Sequence, residues 1–107
     1  MVTKEYVRSK YGRIIDELVA EWQAKLDYTI EDGECVSILI HWTTPHQLDA
    51  MVGITLDESG LEIISFLNRQ HIHSGRNRSW DTPPAKLRAS LREIKADLDS
   101  ASRPPLS

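Results

Sequence analysis

The residue types best suited to chemistry are concentrated in one basic segment, residues 69–80, which reads RQHIHSGRNRSW. Guanidinium groups bind phosphate oxygens in pairs, and an indole ring stacks on a nucleobase. A histidine beside an arginine also suits acid–base cleavage of RNA. The segment therefore predicts an anion or nucleic-acid site, and the simpler alternative is a solvated loop whose arginines pair with acidic residues. The candidate binding residues are Arg69, His71, His73, Arg76, Arg78 and Trp80.

Two of these histidines form a His-x-His pair, which suggests metal binding. His71 and His73 would share one face of an extended segment. Adding His41, His46 or Cys35 would complete a zinc ligand set. No Cys-x-x-Cys and no His-Glu-x-x-His accompanies the pair, so we predict no metal site.

The sequence lacks the motifs of common enzyme classes. It contains no Gly-x-Ser-x-Gly elbow, no phosphate-binding loop and no dinucleotide-binding fingerprint. Cys35, the one cysteine, falls in a predicted strand, where a small buried side chain is the ordinary role of this residue. We therefore expect a non-catalytic protein that uses no cofactor.

Charge is distributed unevenly along the chain, although the formal net charge is only −3. Residues 26–62 carry eight acidic residues and no lysine or arginine, whereas residues 63–80 carry three arginines and no acidic residue. An acidic surface of this kind docks a basic partner or imitates a nucleic-acid backbone. The alternative is that turns simply favour acidic residues, as at Asp32 and Asp57.

The hydrophobic pattern predicts a helix at each end of the chain. The first extends from Thr3 to about Leu26, with apolar residues recurring every three or four positions. Glu21 and Lys25 would form an i,i+4 ion pair on its polar side. The second helix starts just after residue 80 at a Pro-Pro pair. Its apolar stripe is Leu87, Leu91, Ile94 and Leu98.

Four strands are predicted between the helices, at about residues 27–31, 34–42, 51–56 and 61–68. Asp32-Gly33 forms the turn between the first and second strands, and a turn ending at Gly60 connects the third strand to the fourth. The fold class is therefore α+β, an α-β-β-β-β-α chain whose antiparallel meander sheet packs both helices on one face. One domain is expected over residues 1–100, with a flexible tail at residues 101–107.

The second face of this sheet is predicted to be apolar as well. Monomers seldom leave such a surface in water, and a symmetric homodimer is the commonest way to cover it. The candidate protein-interface residues on this face are Leu39, Met51, Ile64 and Phe66.

The order of elements is similar to that of double-stranded-RNA-binding domains, which run α-β-β-β-α. Pro45-His46 falls between two strands, as a Pro-His pair does in that family. The lysine cluster that opens the second helix of that family is replaced here by residues 81–86, DTPPAK. The resemblance therefore concerns only the order of elements and assigns no family.

Together these observations predict a small regulatory or interaction module of the inhibitor, immunity or adaptor type. It would bind another protein or a second copy of itself, and it would not bind a membrane. A lone cysteine and an N-terminus without an apolar segment predict a cytoplasmic location. The alternative function is a nucleic-acid-binding protein or small ribonuclease that uses residues 69–80.

Overall fold

The computed structural model describes residues 4–31, 35–57, 60–74 and 82–102. The α+β class and the helix–meander–helix order predicted from the sequence are confirmed. The meander, however, contains five strands rather than four. The elements are α1 (Lys4–Trp22), β1 (Lys25–Glu31), β2 (Cys35–Thr43), β3 (Asp49–Asp57), β4 (Gly60–Leu67), β5 (Gln70–Ser74) and α2 (Pro84–Ser100).

The five strands form one antiparallel sheet in which spatial order equals chain order. Ile38 lies opposite Ile54, and Ile54 lies opposite Ile63, so three branched side chains form a line across the middle strands. These side chains are buried, as the alternation of apolar residues predicts for the face that carries the helices.

Both helices cover this same face of the sheet and form one hydrophobic core with it. The described helix residues that are fully buried there include Val7, Ile15, Leu18, Leu87 and Leu91. They belong to the stripes that the three- and four-residue spacing predicts. Among the described residues, neither helix combines the length and the apolar character needed to cross a bilayer.

The two helices also contact each other directly. The hydroxyl of Tyr11 donates a hydrogen bond to the backbone carbonyl of Thr82, 2.9 Å away, just before α2 begins. Glu17 and Glu21 extend from α1 to arginines on α2, each with an N–O distance of 3.2 Å. Acidic residues on the polar side of α1 therefore pair with α2, while the shared hydrophobic core supplies most of the packing energy.

Helix α1 ends at Trp22, earlier than predicted, because Gln23 adopts a positive φ of 54°. The N–H of Ala24 then donates to the carbonyl of Val19 over 2.9 Å, a bond that closes the last turn of a helix. Lys25 consequently begins β1. The predicted ion pair between Glu21 and Lys25 is therefore wrong, since Glu21 pairs with Arg92 instead.

The fifth strand arises from the start of the basic segment, which the sequence predicts to be irregular. Asn68 and Arg69 have φ values of 50° and 67° and form the tight turn between β4 and β5. Asn68 also holds the start of β3: its N–H donates to the carbonyl of Asp49, and its side-chain oxygen accepts from the N–H of Asp49. Gly60 at the start of β4 has a φ of 133°, a value that favours glycine. The Asp32-Gly33 turn and residues 103–107 lie outside the described residues.

Candidate functional site

The candidate site is the side of the sheet that faces away from both helices, which we call the open face. The four residues predicted as a protein interface all lie on this side and are half-buried: Leu39, Met51, Ile64 and Phe66. Strand pairing brings them together, because Met51 lies opposite Phe66, and Gly53 lies between Leu39 and Ile64. They therefore form one continuous patch on the three middle strands.

Two rows of residues cross the open face at right angles to the strands. The first, called the histidine row, consists of residues in direct register on β1 to β5: Lys25, His41, Met51, Phe66 and His71. The second, called the apolar row, is formed in the same way on β1 to β4 by Asp27, Leu39, Gly53 and Ile64. The open face is thus basic and aromatic along one row, and aliphatic at Leu39 and Ile64 of the next.

Gly53 shapes the middle of the apolar row. A Cβ atom at this position would stand 3.4 Å from the Cδ2 atom of Leu39 and 3.9 Å from the carbonyl oxygen of Ile64. Because glycine has no side chain, Leu39 is able to lie across the backbone of β3. The surface of the patch is consequently recessed at Gly53, between the aliphatic side chains of Leu39 and Ile64.

One aromatic contact fixes the far side of the histidine row. The rings of Phe66 and His71 lie 5.6 Å apart at an angle of 55°. They join β4 to β5 at the place where the pairing of the two strands shifts, between Ser65 and Phe66. The contact therefore holds the edge strand against the sheet where its ladder is interrupted.

A cleft of ≈ 570 Å³ lies at the end of the open face where β1 begins and β2 ends. Met51 and Phe66 contribute apolar side chains from the open face, and Trp42, whose indole lies on the helix side, also borders the cleft. The remaining lining residues are polar or small: Gln23, Lys25, Asp27, His41, Thr43, Asp49, Ala50 and Arg69. The volume lies within the range of ligand-binding clefts, but most of the lining residues are polar or charged.

Four charged side chains surround this cleft, namely Lys25, Asp27, Asp49 and Arg69, and all are exposed. No ion pair within 4.0 Å joins any of these four side chains to another residue of the described ranges. The four charges of the cleft therefore do not neutralise one another by direct contact. His41 lies half-buried between Lys25 and Met51.

The residues of the predicted anion site are only partly described. Arg69 lies in the turn before β5, and His71 lies on the open face. His73 is paired with Ser65, but its side chain lies outside the description. The predicted residues Arg76, Arg78 and Trp80 also lie outside it. The prediction of nucleic-acid binding through residues 69–80 therefore remains a prediction.

The metal-ligand combinations considered from the sequence are not assembled within the described ranges. No group of three or more histidine, cysteine, aspartate or glutamate side chains suited to a metal ion occurs among them. His41 lies on the sheet, whereas His46 lies exposed in the turn between β2 and β3. The side chain of Cys35 is not among those described.

Several cleft residues are absent from the sites predicted by sequence reasoning, notably Lys25, Asp27 and Asp49. The sequence pattern predicts Lys25 within the first helix, and it favours solvation as the ordinary role of the two aspartates. The alternation of β2 places His41 on the same side as Leu39, and this signal could have added His41 to the predicted interface residues.

Comparison of the chain with protein-family models, with characterised proteins and with solved structures gives no match. The function must therefore be inferred from the chemistry of the open face. This face offers an apolar centre of four side chains, a cleft at one end and a charged rim. These are the components of a binding surface.

Proposed function

We propose that this protein is a non-catalytic interaction module that binds another protein through the open face of its sheet. One observation carries the proposal: Leu39, Met51, Ile64 and Phe66 form a continuous half-exposed patch on the middle strands. The opposite face of the same strands is fully covered by α1 and α2. Water contact with an apolar patch of this kind is unfavourable, and a docked protein removes it.

The composition of the open face supports a protein partner. Methionine and aromatic residues are enriched in the centres of protein interfaces, and polar residues form their rims. Met51 and Phe66 lie at the centre of the histidine row, and Lys25 lies at its end. The exposed Arg69 lies beside the cleft. The partner is expected to present an apolar surface with charged groups at its border.

The proposal is tested by changing the patch while leaving the helix side intact. Ile64→Lys places an ammonium group in the apolar row, and Ala89→Lys places the same group on the exposed side of α2. Circular dichroism and thermal unfolding verify that both variants fold. Binding is measured by affinity capture from the source cell, and self-association by size-exclusion chromatography with light scattering.

We expect Ile64→Lys to abolish binding and Ala89→Lys to leave it unchanged. If the bound protein is a second copy of this chain, wild type and Ala89→Lys are dimers and Ile64→Lys is a monomer. If the captured proteins and the oligomeric state are the same for all three, the open face is not the binding surface and the proposal is wrong.

A further inference from the structure

Building on the proposed function, we infer that the cleft anchors an extended acidic segment of the partner protein. The segment carries two carboxylate side chains four residues apart, with an apolar side chain midway between them. The juxtaposition that supports this inference is the histidine row, with Lys25 at one end of the cleft and Arg69 at the other.

The charge of the row selects an acidic ligand. Every ionisable residue in the histidine row is a base, namely Lys25, His41 or His71. Arg69 adds a guanidinium group beside Phe66, where β4 ends. Lys25 and Arg69 form no ion pair within the described residues, so both can bind a carboxylate of another molecule without first breaking a bond.

The distance between these two bases sets the spacing of the acidic groups. Lys25 begins β1 and Arg69 lies in the turn after β4, so three strand spacings, about 14 Å, separate their backbone positions across the sheet, and Arg69 lies beyond the histidine row on the side of Asp49. An extended peptide covers about 14 Å in four residues. Side chains at positions i and i+4 of a strand point to the same side, and both therefore face the sheet.

The middle of such a segment meets the apolar part of the cleft. Position i+2 falls halfway between β1 and β4, above His41 on β2 and Met51 on β3. Its side chain points to the same side as the two acidic groups. Phe66 lies next to Met51 in the row. An aliphatic or aromatic side chain at this position is therefore buried against Met51 and Phe66.

The carboxylates of the cleft restrict the ligand further. Asp27 and Asp49 line the same cleft but lie outside the histidine row, one on each side of it along the strands. Each repels the carboxylates of a ligand bound in the cleft, most strongly those placed nearest to it. The neutral variants Asp27→Asn and Asp49→Asn are consequently expected to strengthen binding of an acidic segment.

The inference is tested with a synthetic peptide, acetyl-ETFTE-amide, added to the full ¹⁵N-labelled chain. Two matched peptides serve as controls: acetyl-KTFTK-amide reverses the charge, and acetyl-ETETF-amide keeps the composition but changes the spacing. Amide chemical shifts are followed by NMR during the titration. We expect the ETFTE peptide to shift the amides of Lys25, His41, Met51 and Phe66, with an affinity at least threefold higher than that of either control.

Variants of the protein separate the roles of the charges. Lys25→Gln and Arg69→Gln are each expected to weaken binding of the ETFTE peptide by about two- to fivefold, the usual effect of losing one exposed ion pair. Asp27→Asn is expected to strengthen it. Equal or tighter binding of the KTFTK or ETETF peptide, absence of binding, or weaker binding by Asp27→Asn would overturn the inference.

Failure of this inference is distinguishable from failure of the proposed function. If Ile64→Lys abolishes partner binding but the ETFTE peptide does not bind, the open face is an interface and only the acidic anchor is wrong. If Ile64→Lys leaves partner binding intact, the proposed function is wrong whatever the peptide does.

Discussion

Trp42 donates its indole N–H to the carboxylate of Asp99 over 2.8 Å, and this bond joins β2 to the last turn of α2. The ring of Trp22, at the end of α1, lies 5.4 Å from the ring of Trp42. Lys95 pairs with Asp99, and its ammonium group lies 5.6 Å and 5.7 Å from the centres of the two indoles. This cluster fastens both helices to the end of the sheet that carries the cleft.

Asp99→Ala is expected to lower the free energy of unfolding by about 2 kcal/mol, because Trp42 loses a hydrogen bond to a charged acceptor and Lys95 loses its ion-pair partner. The side chain of Asp99 is only 20% exposed, so water replaces the lost bond poorly. Urea unfolding followed by tryptophan fluorescence measures the change. The exposed Asp97→Ala serves as the control and is expected to shift stability by less than about 0.5 kcal/mol. Equal effects of the two substitutions would show that the bonds of the Asp99 carboxylate to Trp42 and Lys95 do not contribute to stability.

Tyr11→Phe is expected to lower the free energy of unfolding by about 1 kcal/mol, because it removes the buried hydrogen bond to the carbonyl of Thr82. The loss should destabilise the first turn of α2 locally. The N–H of Leu87 bonds the carbonyl of Pro83 in the first turn of that helix, and we expect its hydrogen exchange to accelerate. Unchanged exchange at Leu87 would mean that Tyr11 does not hold this turn.

Leu91→Ala is expected to lower the free energy of unfolding by about 3 kcal/mol, since this side chain is fully buried between α2 and the sheet. Ile94 belongs to the same helix but is only partly buried. Ile94→Ala should therefore have a clearly smaller effect in the same thermal or urea unfolding experiment. A larger effect at Ile94 would contradict the orientation of α2.

Arg69→Gly is expected to raise the free energy of unfolding by about 0.5 kcal/mol, because Arg69 has a φ of 67° and glycine adopts such values without strain. Arg69→Gln keeps the strain and removes the charge, and we expect its stability to equal that of the wild type. Calorimetry of the three proteins measures the difference. If Arg69→Gly were less stable than Arg69→Gln, the arginine would not be under strain at this turn.

Much of the fold could be predicted because burial follows a local period. The alternation of Val36, Ile38 and Ile40 identifies the helix-covered face of β2, and it places Leu39 on the opposite side. The regular stripe of leucines in α2 identifies its buried side in the same way. These features depend on neighbours in the chain, so the sequence alone is sufficient to predict them.

The errors occur where a residue other than glycine adopts a positive φ. Gln23 ends α1 and Arg69 completes the turn before β5, and neither residue type signals such a conformation. Hydrogen bonds from neighbouring residues offset the strain: Ala24 bonds Val19, and Asn68 bonds Asp49. Whether such bonds form depends on how strands and helices meet, which no local pattern reveals.

The sequence does not predict the cleft either, because its residues come together only through the pairing of the strands. Lys25 and Arg69 are far apart in the chain, and only the pairing of β1 with β2, of β2 with β3 and of β3 with β4 brings them to one end of the open face. A shift of one residue in the pairing register of any strand would place its cleft residues on the face that carries the helices. A site of this kind follows from register, which requires the assembled sheet.

Finally, the order of the strands has a consequence for folding kinetics. Each strand pairs with the next one along the chain, so successive hairpins can close over short loops. The bond between Tyr11 and Thr82, by contrast, joins residues 71 positions apart. Closing a flexible loop of this length is entropically unfavourable, and the entropic cost falls once the sheet has formed and ordered most of the intervening residues. We therefore expect the sheet to form early and the docking of α2 against α1 to be the late, rate-limiting step.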